Sequence, residues 1–546
     1  MTVSKYNKEY LARRLGFKVD DKELFRNINK MGLSIDRTNK DEIDIEFPAN
    51  RPDLISTIGL ARAIRYFMRR SRKFEYKLGM EENEFIINVG ANVGKIRPFI
   101  SGLVVRNMKL GEDDLLEIIN FTEKLSETYG RKREQIALGL HDLKNVKPPF
   151  YYDAYENEEF VPLEKRNSMR YSEVIERESK GNEYGRLCKM EQRYVALKDM
   201  HGTMSLIPVL NSERTKVSAT TKNMLVDITG VNKYAIEKTA DLLAADFADM
   251  GYEVSRIRVN YNGSVSVIPK MRGGRISIPV DQIEKEIGVE IGPNNSILLA
   301  NKMGYEASRI GTKIRLEVPP YRLDVINEQD VIEDIAIAYG YDYIRPIPVP
   351  SAQAGNMERI SKETERISEL MAGLGFSEMM NSYLTNEDMN FKSMRLEKHD
   401  DYIAISNPKT ENMTMLRTWL LPSLMRNLSR SMHDKLPINI FELDMAFGLK
   451  GDATEERYHL AAVTCDAHAN FNDAKSAVEG LAKRLGIAFE FKRARHESFI
   501  EGRCAEIMLD KKNIGFLGEI HPEVLISFGI EEPVTAFEID LNKMTL

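Results

Sequence analysis

Residues 346–355, PIPVPSAQAG, place proline at 346, 348 and 350 and continue with small or polar residues. Proline lacks the backbone donor that a central strand needs, and it turns the preceding residue away from helix, so no regular element runs through this stretch. A linker here divides the 546 residues into at least two separately cored bodies. At about 150 residues per domain, three or four domains are expected. With apolar residues at 42%, each can bury a core. The pattern on either side predicts a multidomain α+β chain with spans 1–82, 83–268, 269–347 and 348–546. The acidic run MEENE (80–84) marks the first boundary. There is no internal repeat and no low-complexity tract.

In the first span, helical spacing in ELFRNINKMGL (23–33) and LARAIRYFMRR (60–70) brackets the alternating DEIDIEF (41–47), a short strand in an α/β module. The second span mixes strands (FIINVG, FISGLVVRNM, QIALGLHDL, SVSVIPK) with the helix LLEIINFTEKLSETYG. The third is a small unit opening at RGGRISIP (272–279). The fourth is predicted to contain the helix ERISKETERISELMAGLG, the strand INIFELDMAFG (438–448) and the helix NDAKSAVEGLAKRLG (472–486).

No window approaches the ~18 consecutive apolar residues of a membrane span. The start, MTVSKYNKEYLARRLGF, has no apolar core behind its basic residues, unlike a secretory signal. Cys188, Cys465 and Cys504 are odd in number and far apart. That excludes a disulfide framework and a CxxC-type zinc site, and it fits a reducing cytoplasm. The net charge of −6 is unevenly spread: residues 1–80 carry 18 Lys and Arg against 11 Asp and Glu, a net +7, and the remainder carries −13. A basic module on an acidic body is compatible with RNA docking at one face, or with a solvated basic helix surface; the acidic body argues against a free-standing DNA-binding protein.

The stretch RLDVINEQDVIEDIAIAYGYDYI (322–344) brings Asp324, Asp330, Glu333 and Asp334 within eleven residues. From Asn327 the spacing becomes helical, with Asn327 as N-cap and Asp330 as the acidic arm of a capping box. Acids in the first helical turn also complement its positive end, by ~0.3–1 kcal/mol each. The other reading is a cation site. Asp330, Glu333 and Asp334 are spaced i, i+3 and i+4, one helical face, and Asp324 folds back toward it. An all-oxygen set of this kind suits Mg²⁺ better than Ca²⁺, whose loop would need the Gly and alternating acids that are absent.

This stretch resembles the R-x-D-[IV]-x₅-D-[LV]-[IV]-E-[DE]-[IV]-A-x-x-Y-G-Y-[DN]-x-I signature of phenylalanyl-tRNA synthetase β subunits. The resemblance implies Mg²⁺ at Asp324, Asp330, Glu333 and Asp334, against the family's α subunit. It recurs along the chain. FPANRPDLISTIGLARAIRYF (47–67) is similar to the N-terminal signature. By itself it reads as turn chemistry feeding a helix, with Asp53 or Ser56 as cap. GRKREQIALGLHDLKNV (130–146) resembles an archaeal and eukaryotic segment. His141 and Asp142 are adjacent on a strand and so point to opposite faces, and no serine or cysteine is spaced to complete a triad; they read as a strand-end turn.

MHGTMSLIPVLNSERTKVSATTKNMLVDITG (200–230) resembles the family's editing region, though Ile207-Pro208-Val209 lacks the usual second consecutive proline. The resemblance implies hydrolysis of tyrosine misattached to tRNA-Phe. That requires a pocket rewarding the extra hydroxyl. Ser205, Asn211, Thr215, Lys216 and Asp227 offer suitable donors, acceptors and a charge for the tRNA end. ISNPKTENMTMLRTWLLPSLM (405–425), FELDMAFG (441–448), NFNDAKSAVEGLAKRLG (470–486) and GRCAEIMLDKKNIGFLGEIHPEVLISFGI (502–530) match the last domain.

The resemblance implies a winged-helix-like third module and a class II synthetase-like antiparallel sheet with helices in the fourth. That fourth unit contains no F-R-x-E, no G-x-G-x-x-R and no phosphate-binding GxxxxGK[ST], so it is expected to be catalytically inactive. The function implied is the β subunit of a phenylalanine–tRNA ligase, an (αβ)₂ heterotetramer in which the α subunit binds most of the ATP and this chain edits and contacts tRNA-Phe. The alternative is a non-catalytic tRNA-binding scaffold of the same complex.

Overall fold

The computed structural model describes residues 2–70, 75–348, 354–431, 433–451 and 453–544. The chain forms two compact units, Met1–Pro348 and Val349–Leu546. Of the linker expected at 346–355, residues 349–353 lie outside the described residues. Among the described residues, no helix is long and apolar enough to cross a membrane, and the three cysteines are free and buried.

The first unit begins with a three-stranded antiparallel sheet in the order Thr2–Asn7, Glu42–Phe47, Ser34–Thr38. Only the middle strand is legible from alternation, burying Ile43, Ile45 and Phe47. Of its neighbours, Ser34–Thr38 carries mostly polar, exposed residues, and Thr2–Asn7 buries Ser4 and Tyr6. Helices Lys8–Leu15, Asp21–Lys30 and Thr57–Phe67 accompany the sheet. Ser56, not Asp53, caps the last of these, accepting from Gly59 N–H at 2.9 Å. Gly59 is obligatory there, since a Cβ would sit 1.8 Å from the Asp53 carbonyl oxygen. The expected boundary at MEENE is no detached segment: Gly79–Met80 joins a large sheet and Glu81 is paired with Arg106.

That sheet runs Leu210–Asn211, Gly202–Leu206, Arg193–Asp199, Phe150–Tyr155, Ile86–Val89, Glu253–Tyr261, Phe99–Arg106, Met224–Gly230, Ile136–Asp142. Helices Glu112–Glu127 and Lys233–Asp249 pack on it through Ile118, Phe121, Leu125, Leu243 and Phe247. The strands at the two ends of this order meet. Asn211 Nδ2 donates to the Leu140 carbonyl at 3.2 Å, so the sheet curls until its ends close on one another.

A smaller antiparallel sheet follows, Arg275–Pro279, Lys313–Glu317, Glu306–Ile310, with helices Val280–Ile287, Pro293–Lys302 and Glu328–Tyr339. All three parts of the unit share buried contacts. Arg62 donates to Asp246 and Asp249 at 2.8 and 2.7 Å and stacks 3.9 Å from the Tyr321 ring centroid.

The second unit is a seven-stranded sheet in the order Ser377–Glu378, Ile438–Lys450, Ala453–Cys465, Val534–Asp540, Lys512–Ile520, Phe499–Leu509, Glu490–Arg493; every pair is antiparallel except the first. Alternation along the strands gives it two cores. Leu460, Phe537 and Ile539 face helices Arg359–Gly373 and Phe471–Leu485. Ala461, Val463 and Ala536 face helix Leu421–Arg430. Buried Arg417 joins two of the sequence motifs by donating to Glu442 at 2.6 Å.

Candidate active site

A cavity of about 290 Å³ opens where the ends of the large sheet meet. Ser205, Asn211, Lys216 and Asp227 all line it, with apolar walls from Ile119, Leu138, Leu140 and the Ile207–Leu210 turn. Four of the five residues expected from sequence therefore share one cavity. The fifth, Thr215, is fully buried behind it.

The polar side of the cavity is a relay of hydrogen bonds. Ser205 and Asn211 sit opposite one another in register, and the Ser205 hydroxyl donates to Asn211 Oδ1 at 2.8 Å. That contact orients the amide so that its Nδ2 reaches Leu140 across the seam. On the far strand, Asp227 Oδ2 lies 2.8 Å from His141 Nε2, and His141 Nδ1 lies 2.9 Å from the Thr215 hydroxyl. A carboxylate only accepts, so Nε2 carries a ring proton, while the Thr215 hydroxyl also reaches the Ser212 carbonyl at 3.2 Å. His141 and Asp227 are 0% and 2% exposed.

His141 differs from the expectation of a strand-end turn. It and Asp142 do point to opposite faces, and Asp142 behaves as expected, accepting from Lys144 N–H and Thr221 at the strand end. The partner of His141 is not its neighbour but Asp227, on the strand paired beside it. The available signal was phase: His141 alternates with Ala137 and Gly139 on the inward side of Ile136–Asp142. Gly139 belongs to the same device. A Cβ there would lie 2.0 Å from Asp227 Oδ2, so only glycine lets the carboxylate reach the imidazole.

The RKR motif supplies a further residue. Arg131, Lys132 and Arg133 take three successive left-handed conformations, with φ of 50°, 52° and 62°, a costly run. The turn aims Arg133 at the cavity, where it donates to the Pro208 carbonyl at 2.9 Å and Glu123 at 2.8 Å. Lys180 and Lys216 stand half-exposed at the rim. Chemically, the site is an apolar slot with acceptors at its base and cations at its mouth.

The carboxylate stretch is arranged otherwise. Asp330 is the capping arm, accepting from Ile326 and Asn327 N–H at 2.7 and 2.8 Å. Asp324 and Asp334 share buried Arg322, which donates to the first at 2.7 and 2.9 Å and to the second at 2.6 Å. Burial alone would raise the Asp324 carboxyl, but the charge and hydrogen bonds of Arg322 outweigh it and hold it below the ordinary range. Tyr305 also donates to Asp334, and Glu333 faces solvent. Thus Asp324 and Asp334 are held on Arg322, Asp330 is spent on the cap and Glu333 points to solvent, so the four do not gather on one point in this chain. Among the described residues no three His, Cys, Asp or Glu side chains are grouped to hold a metal ion. As arranged, this set does not fit a resident cation.

Comparison with known proteins places these parts. Residues 81–249 match the family model of the B3/4 domain, 276–341 that of the tRNA synthetase B5 domain, and 346–541 that of the phenylalanyl tRNA synthetase beta chain CLM domain. In this order they define a multidomain subunit of an aminoacyl-tRNA synthetase. The chain is 33% identical over 539 residues to the phenylalanine–tRNA ligase beta subunit of Archaeoglobus fulgidus, covering 97% of this chain and 96% of that one. It is 33% identical over 552 residues to that of Methanocaldococcus jannaschii, covering 99% and 100%. A crystal structure of an N-terminal fragment of the phenylalanyl-tRNA synthetase beta subunit from Pyrococcus horikoshii superposes with a TM-score of 0.59 at 30% identity, over 62% of this chain and all of the fragment. The chain belongs to the family of phenylalanine–tRNA ligase beta subunits.

Proposed function

We propose that this chain, with an α subunit carrying the adenylating site, supports ATP + Phe + tRNA → AMP + PPi + Phe-tRNA, and that the cavity at the sheet seam hydrolyses tyrosine misattached to tRNA-Phe. The observation that carries the editing reading is the buried Asp227–His141–Thr215 set at the base of an apolar slot. Such a slot accepts an aromatic ring, and an acceptor at its base rewards a phenolic hydroxyl that phenylalanine lacks. Ser205 and Asn211 hold the opposite wall, and Lys216 is assigned to the phosphates of the tRNA end. The test offers Tyr-tRNA-Phe and Phe-tRNA-Phe to the chain with and without its α partner. Tyrosine is expected to be released faster than phenylalanine; equal rates, or no release in either sample, would sink the editing role.

For Asp324, Asp330, Glu333 and Asp334, the reading kept here is Mg²⁺ in the assembled (αβ)₂ enzyme only, completed by ligands from the partner. Its supports are the exposure of Glu333 and the density of acids around Arg322. Glu333→Ala is expected to weaken α–β association or its Mg²⁺ dependence, read by sedimentation at varied Mg²⁺. Unchanged assembly and metal content would return these acids to capping and ion pairing. The small module carrying them is read as winged-helix-like, and the compartment as cytoplasmic.

A further inference from the structure

The second unit contains a cavity of about 300 Å³ on the sheet face that carries Ala461 and Ala536. Its walls are rings: the His496 centroid lies 5.9 Å from that of Trp419 and 4.9 Å from that of Phe516. Its floor is formed by His459, Glu538 and Asp540. Glu538 is fully engaged, accepting from His459 Nδ1 at 2.6 Å and from the Leu420 and Leu421 N–H groups at 3.0–3.1 Å. That acceptor holds a proton of His459 on Nδ1; in the neutral ring Nε2 is then an acceptor.

Nε2 of His459 is buried and has no hydrogen-bond partner. The Asp540 carboxylate, 5% exposed, comes only within 4.0 Å of it. Asp540 Oδ1 already accepts from Asn542 N–H at 3.1 Å and its Oδ2 lies 3.5 Å from Lys543 Nζ, so the unpartnered group facing the gap is His459 Nε2, which calls for a partner. The opposite wall offers the complement. His496 Nδ1 accepts from Ser498 N–H at 3.2 Å, which puts that ring's proton on Nε2. Burial keeps this imidazole neutral by lowering its pKa. Arg457, paired with Glu455, and Lys543, 3.5 Å from Asp540 Oδ2, complete the lining.

We propose that this cavity binds a small flat aromatic ligand bearing an N–H donor and an anionic group, with the donor between His459 Nε2 and Asp540, the ring against Trp419 and Phe516, and the anion at Arg457 and Lys543. Aromatic amino acids and amino-substituted nucleotides share this chemistry. The site is one of binding alone, since the unit carries none of the phosphate-gripping motifs that adenylation needs.

Trp419 is the only tryptophan of the chain, so its emission reports on this cavity and no other. The full chain is titrated with L-phenylalanine, adenosine 5′-monophosphate and benzoate. A saturable change with half-saturation below about 1 mM is expected for one or both of the first two. Response to phenylalanine alone assigns the amino acid, and to the nucleotide alone the nucleotide. Benzoate lacks the donor and should bind at least about tenfold more weakly, and Asp540→Asn should weaken the binding ligand to the same degree. If Asp540→Asn fails to fold, His496→Phe, which keeps the ring and removes the donor, is used and should weaken binding likewise. No saturable change with either amine, benzoate binding as well as they do, or a folded variant binding unchanged would overturn the proposal.

Discussion

At the residue scale, the cavity proposed for editing is shaped by one small side chain and one buried charge. Gly139→Ala places a methyl group where the Asp227 carboxylate now sits. Because the atom displaced is the end of a side chain, the strand survives and the Asp227–His141 contact does not. Tyr-tRNA deacylation is expected to fall on the order of 10²-fold, the scale of a misplaced catalytic-site group, with little change in melting temperature. A variant that deacylates normally would remove these two residues from the chemistry. Arg322→Ala acts on stability instead. It strands Asp324 and Asp334 without their shared partner, and denaturant unfolding should show a loss of ~3–5 kcal/mol. What could be read beforehand follows the same division. Ser205, Asn211, Lys216 and Asp227 were accessible because they lie in one continuous motif. His141 was not, since its partner is 86 residues away and joined to it only by strand pairing.

At the element scale, the helix Glu328–Tyr339 starts as its sequence predicts. The capping box at Asn327 and Asp330 is local chemistry, whereas the position of Arg322 among the acids needs the tertiary fold. Asp330→Ala should therefore cost only about 1 kcal/mol, measured by chemical denaturation. A different linkage ties helix Lys233–Asp249 to helix Thr57–Phe67, where Arg62 serves both Asp246 and Asp249. One guanidinium between two carboxylates leaves an excess negative charge. Burial, only partly offset by Arg62, raises the Asp246 carboxyl from 3.8 to about 6. Its folded-state pKa is thus above its unfolded value, so protonation contributes stability that is fully present below about pH 4 and is lost as pH rises through about 6. Asp246→Asn cannot titrate. The stability of the natural chain relative to this variant should therefore increase as pH falls from 7 to 5, read from paired melting curves; a constant difference would contradict the assignment.

At the scale of the whole molecule, two units carry two kinds of cavity, and the second unit has no F-R-x-E, G-x-G-x-x-R or GxxxxGK[ST] motif. The chain alone should release tyrosine from Tyr-tRNA-Phe yet show no amino-acid-dependent exchange of pyrophosphate into ATP, which should appear only when the α subunit is added. Exchange by the isolated chain would overturn this division. The prolines at 346, 348 and 350 interrupt every periodicity where the two compact units part, while the four spans expected from sequence are not separate at that level. The curl of the large sheet was not legible, because strand order depends on pairings between segments more than a hundred residues apart. That curl decides how the cavity can admit a bulky nucleic-acid end. Its two terminal strands meet near the slot through side chains, Asn211 to the Leu140 carbonyl, with Thr215 to His141 and Arg133 to the Pro208 carbonyl beside them, rather than through a ladder of backbone bonds. A seam stitched in this way can dilate for the cost of a few side-chain hydrogen bonds, each on the order of 1 kcal/mol. The sheet behind it keeps its register, so the mouth can breathe while the Asp227–His141 floor stays fixed.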